Sequence, residues 1–153
     1  MANAWQDAAT TLFRELFEGQ PEGQTFTYVV EKREGIFDAL DSIDAARASH
    51  RAEAGSPTLA AHTYHLLYSL RLANSYQGRP KPEGDWESSW AVQDATPEEW
   101  EHLKAHVREE YALVLPFLAT STPPNDEATT GMLGMVVHAS YHLGAMRALL
   151  RLV

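Results

Sequence analysis

Seven histidines and no cysteine set the chemistry open to this 153-residue chain. Without a protein thiolate, a metal site must rest on imidazole and carboxylate, and thiol chemistry must take its thiol from a substrate. The most suggestive stretch is VVHASYHLGAMRALL (136–150), where His138 and His142 stand four residues apart in an apolar run. Side chains at i and i+4 share a helix face about 6 Å apart at Cβ, close enough to bite one ion. On a helical wheel Gly131, His138, His142, Ala145 and Leu149 share one side, with Ser140, Arg147 and Arg151 opposite, so the pair is predicted to face inward. Met132, Val136, Leu143 and Leu150 lie away from the histidines, leaving this helix apolar nearly all round.

The stretch TLAAHTYHLLYSL (58–70) carries His62 and His65, three apart. Leu59, Leu66, Ser69, Leu70, Leu72 and Ala73 define its expected inner face, with both histidines within or beside it and Ala60 and Arg71 marking the solvent side. Periodicity does not separate His62 from His65 as the inward donor. One inward imidazole here and a pair on the last helix supply three nitrogens. A catalytic zinc commonly uses three protein ligands and keeps a position for water or substrate. The competing reading is a set of buried histidines bonded to hydroxyls such as Tyr64, Tyr68 or Ser69, since a buried imidazole needs partners. His102 and His106 also stand at i, i+4, but His102 points well away from the apolar stripe of Trp100, Leu103, Val107, Val114 and Leu118. That pair is expected to be solvated and metal-free, as is His50 in a polar stretch.

The elements that carry these residues are punctuated by caps and prolines. A first helix is predicted from Asn3 to about Glu18, with Trp5, Ala9, Leu12 and Leu16 on one stripe and Gly19 as its stop. A Pro/Gly turn and a short β-prone run of unsettled form follow over 20–32. A helix is expected over 35–48, another opened by Ser56-Pro57 and running to about Tyr76, and a third opened by the Thr96–Glu99 capping box and running to about Leu118, kinked or ended by Pro116. The last starts near Asn125-Asp126 and runs almost to Val153. Between them QGRPKPEGDWESSW (77–90) reads as an ordered crossover loop whose Trp86 and Trp90 plug the end of the core. Long helices without a convincing sheet predict an all-α four-helix bundle with a short additional helix, as a single domain over 1–153.

Composition narrows the partners. Hydrophobic residues are 44% and charged residues 22% of the chain, with a formal net charge of −9 and no Lys/Arg cluster. Nucleic acid, a polyanion, is a poor partner for such a surface. No apolar run is long enough to span a bilayer, and the first residues lack a signal-peptide pattern, so the expectation is a cytoplasmic protein with no membrane partner. A helix apolar all round needs covering on both sides, which points to a homodimer.

At TLAAHTYHLLYSL and HASYHLGAMRALL the sequence resembles the DinB-like superfamily, damage-inducible four-helix proteins that include thiol-dependent S-transferases; GDWESSW resembles a subgroup feature. The resemblance covers nearly the whole chain. It implies a divalent metal held by His65, which directly precedes an apolar residue as the family's ligand does, and by His138 and His142. It leaves His62, with Tyr141 near the site, in a second shell or facing substrate. The implied function is a metal-dependent enzyme that activates a low-molecular-weight thiol for attack on an electrophilic small molecule. The alternatives are a metal-dependent hydrolase and a non-catalytic, metal-stabilised dimeric bundle. Zinc is the first expectation for the metal, nickel the next and iron the third.

Overall fold

Gly19 shows how tightly the first connection is drawn. It ends α1 (Ala4–Glu18) at φ +81°, and a Cβ there would stand 2.5 Å from the carbonyl oxygen of Arg33. Only glycine tolerates both the left-handed backbone and the close approach. The computed structural model describes residues 4–153, so the expected helix start at Asn3 lies outside the described residues. The buried face of α1 is formed by Ala9, Phe13, Leu16 and Phe17. It is therefore rotated from the expected stripe, leaving Trp5 and Leu12 at its margin.

No strand occurs among the described residues, and the β-prone run over 20–32 is a wrapped segment ending in a 3-10 turn, Glu31–Arg33. Glu15 explains its course. The fully buried carboxylate accepts backbone N–H bonds from Tyr28 (3.0 Å), Val29 (2.6 Å) and Val30 (3.0 Å). Burial by itself would raise the Glu15 pKa; the three N–H donors together outweigh it and hold the carboxyl below its ordinary value. Donors that would have joined a ladder are thus spent on one side chain.

The helix expected over 35–48 is two, α2 (Ile36–Asp41) and α3 (Ala45–Ala48). Asp44 breaks it by accepting from the Arg47 N–H and capping α3, while the carbonyl of Ile43 takes the indole N–H of Trp100 at 3.0 Å. α4 (Leu59–Ser75) begins later than Ser56-Pro57 suggests, because Thr58 is the cap: its hydroxyl accepts from Ala61 N–H and donates to the carbonyl of Gln93. α5 (Pro97–Thr120) opens on the expected capping box and runs through Pro116 without ending there. Pro116 forfeits one helical N–H, yet the fully buried Leu118 beyond it keeps the last turn on the core. α6 (Asp126–Leu149) is capped by Asn125.

The chain is all-helical over the described residues. α4 packs on α5 and α6, and α1 packs on the same two from the other side. Phe13, Phe17, Phe37 and Tyr111 form an aromatic cluster within the packing. No helix among the described residues is long and apolar enough to cross a membrane.

Two expected faces differ from those observed. Ala60 is fully buried, because α4 is covered nearly all round. On α6 the core side is Met132, Val136, Ala139, Leu143 and Met146; Met132, Val136 and Leu143 are residues expected to lie away from the histidines, while Leu150, expected with them, is only half-buried. The histidines flank this core face. His142 is fully buried and His138 is only half-buried.

Candidate metal centre

His65 on α4 and His138 and His142 on α6 come together. Each offers a ring nitrogen, and the three nitrogens lie within 4.8 Å of one another, a group that could hold a metal ion. Nε2 of His142 is 3.0 Å from Nε2 of His138. Two such atoms either share a proton or face a common cation. Donors with bonds of about 2.0–2.1 Å to one tetrahedral ion stand roughly 3.3 Å apart, so the pair is within a few tenths of an ångström of that spacing.

The orientation of His65 decides what it can donate. Its Nδ1 is 2.6 Å from the hydroxyl of Ser89, and that hydroxyl donates its one proton to the carbonyl of Trp86 at 2.7 Å. Ser89 can therefore only accept from His65. The proton of the neutral ring sits on Nδ1, leaving the Nε2 lone pair free for a cation. Trp90 stacks on the same ring at 4.0 Å between centroids and 18° between planes, and Trp86 meets its edge at 4.4 Å. His65 is thus held at one nitrogen, one face and one edge.

Trp86 and Trp90 therefore do not plug the core. They form the wall of the histidine cluster, with Trp86 also 5.0 Å from the ring of His138. Their placement follows from local chemistry in GDWESSW. Gly84 takes φ +80°, where a Cβ would fall 2.7 Å from the Ser88 hydroxyl. Asp85 accepts from the Ser88 N–H at 2.7 Å, and the Ser88 hydroxyl accepts from the Asp85 N–H at 2.9 Å. Gln93 ties the turn down: its amide donates to the carbonyl of Trp90 at 2.7 Å and its side-chain oxygen accepts from the Thr58 N–H at 3.1 Å. The loop is fastened to the N-terminus of the helix that carries His62 and His65.

His62 is buried outside the group of three, with its Nδ1 3.1 Å from Nδ1 of His142. Tyr141 lies beside both, its ring 5.1 Å from that of His142 and 6.0 Å from that of His62, with 56% of its surface exposed. The partners of the buried imidazoles are thus Ser89 and other histidines. Tyr64, Tyr68 and Ser69 take no part. His50, His102 and His106 are exposed, as expected, and stand outside the cluster.

Electrostatics keep the cluster uncharged. Burial lowers the pKa of His62 to about 4. Burial, then repulsion from His138 and His62, lowers that of His65 to about 4. Burial, then its three histidine neighbours, lowers that of His142 to about 2, and burial lowers His138 as well. At neutral pH all four rings are neutral, and a neutral imidazole is the form that ligates a metal. Ser89 and Gln93 escaped the sequence reading. A serine seven residues after Pro82 and a lone glutamine carry no spacing signal; their roles arise only when the loop meets α4.

No family model matches this chain, and neither a curated protein nor a solved structure matches it.

Proposed function

We propose that this chain is a DinB-like four-helix-bundle enzyme that holds a divalent cation on His65, His138 and His142 and transfers a low-molecular-weight thiol to an electrophilic small molecule. The observation that carries the reading is the convergence of one ring nitrogen from each of His65, His138 and His142 within 4.8 Å; the contact of His65 Nδ1 with Ser89 supports it, because a proton engaged there leaves the other nitrogen of the ring as a donor. When bound, the cation supplies a lowered pKa for a thiol that coordinates it, making thiolate available at neutral pH.

The chain's own residues do the rest. Trp86 and Trp90 wall the cluster against water and fix the His65 ring. His62 holds the far nitrogen of His142. Trp86, with 49% of its surface exposed, and Tyr141 frame the solvent side, where a substrate with apolar or aromatic surface would be held. The absence of cysteine supports an external thiol, because no protein thiolate competes for the cation. A cytoplasmic setting, where small thiols are kept reduced, suits the reaction. Zinc is the proposed metal, ahead of nickel and iron, because three histidines with a further position left for water or substrate is a recurrent catalytic zinc arrangement. The surface charge of −9 supports a small-molecule partner over nucleic acid.

The test begins with elemental analysis of protein made without a histidine tag, then titrates the cobalt-substituted protein with low-molecular-weight thiols. The transferase predicts a saturable, thiol-dependent change in the cobalt spectrum that His142→Ala abolishes. A spectrum indifferent to every thiol would leave the ion structural or hydrolytic and overturn the thiol assignment.

A further inference from the structure

The solvent face of α6 carries a pattern that the metal centre does not use. Val137 and Tyr141 expose 69% and 56% of their surfaces. With Thr130, Gly134, Gly144 and Ala148 they form one exposed stripe, opposite the core line of that helix. Glycine destabilises a helix interior relative to alanine, yet a Cβ at Gly134 or Gly144 would meet nothing within 4 Å. Nothing within the chain requires these two positions to be bare.

The stripe is symmetric about the level of Ala139. Val137 and Tyr141 lie two residues to either side, Gly134 and Gly144 five, and Thr130 and Ala148 nine. A two-fold interface pairs residue i with j and j with i. An antiparallel pair of α6 helices crossing at Ala139 would set Val137 of each copy level with Tyr141 of the other, and bare glycine level with bare glycine. No charged residue lies on the stripe between Thr130 and Ala148, although the chain carries a net −9. Two copies of an acidic protein repel least where the charges are absent. Val137 and Tyr141 also border a cleft of about 680 Å³ between α6 and Val29, which gives the large side chains of a facing copy somewhere to go.

We propose that α6 pairs antiparallel with α6 of a second copy about a two-fold axis level with Ala139, forming a homodimer. The stripe spans about 27 Å of helix. A stable interface of about 800 Å² per partner needs more than one helix face, and the exposed Phe26 and Tyr28, in the same segment as Val29, extend it. The inference does not depend on the metal. It bears on the site through Tyr141, whose ring touches those of His62 and His142.

Sedimentation of the full chain at micromolar concentration should give twice the 17.0 kDa chain mass, and Val137→Glu should give a monomer with unchanged helix content. A monomeric wild type, or a Val137→Glu dimer of unaltered strength, would overturn the proposal. Because the chain lacks cysteine, cross-linking reads the register directly and decides the matter if Val137→Glu loses helix. The Val137→Cys, Tyr141→Cys double variant should oxidise to a covalent dimer. Thr130→Cys alone, with its copies about 27 Å apart along the axis, should not, since a disulfide needs Cα atoms within roughly 7 Å. Efficient linkage through Thr130→Cys would establish a parallel pairing instead.

Discussion

The Nδ1 atoms of His62 and His142 lie 3.1 Å apart, and only one of them carries a proton in that contact. A cation held by the cluster would decide the choice. If Nε2 of His142 faces a cation beside Nε2 of His138, its proton must be on Nδ1, and His62 must accept it. Without a cation, the proton order can run the other way, from His62 through His142 to His138. The same coordinates serve both orders, so the cluster is prepared for an ion without depending on one.

His62 and His142 should therefore respond differently to truncation. His142→Ala removes a donor, and tight metal binding should vanish while helix content stays intact. His62→Ala removes only the acceptor behind that donor, and metal should be retained at about 10–100-fold lower affinity. Chelator competition with elemental analysis measures both. Equal loss of metal in the two variants would make His62 a direct ligand.

Ser89 should matter for metal more than for folding. Ser89→Ala leaves the His65 proton free to move to Nε2, the nitrogen needed for the cation. Affinity should fall by about 10–100-fold, while the metal-free protein loses about 1 kcal/mol, the net worth of one hydrogen bond. An unchanged affinity in the chelator assay would show that the ring is set by Trp86 and Trp90 alone.

The metal-free protein should be acid-labile in a defined window. Burial holds the pKa of His62 and His65 at about 4 and of His142 at about 2, against an ordinary 6.5. Below 6.5 the unfolded chain takes up protons that the folded cluster refuses, so stability falls as pH falls toward 4 and is fully present above 6.5. Melting temperature recorded from pH 7.5 to 4 checks this, and His142→Ala should show a shallower decline. A flat profile would mean that the rings protonate freely in the folded state.

Glu15→Gln should loosen the segment over 20–32. An amide offers one acceptor oxygen where the carboxylate uses two, leaving a backbone N–H of Tyr28, Val29 or Val30 without its partner at a cost of about 1–3 kcal/mol. Hydrogen exchange should rise at those amides first. Since Val29 borders the proposed dimer face, dimer strength should fall with it.

What the sequence determined by itself was local. Caps and periodicity located α1, α5 and α6 because Gly19, Thr96 and Asn125 act on their own neighbours, within four residues. The i, i+4 pair on α6 and the exposure of His102 and His106 were legible for the same reason. Tertiary structure decided everything that required two segments to meet. The late start at Thr58 and the wrapping of 20–32 on Glu15 each turn on a hydrogen bond to a distant segment, and the split before α3 joins a local cap at Asp44 to the indole of Trp100 on the Ile43 carbonyl. The largest such decision concerns His65. Three-residue spacing on α4 left it level with His62, and only the arrival of Ser89 and Trp90 from a loop more than twenty residues away fixed its ring. A helical wheel records angles about one axis; which nitrogen of a ring is free depends on atoms that lie on another element.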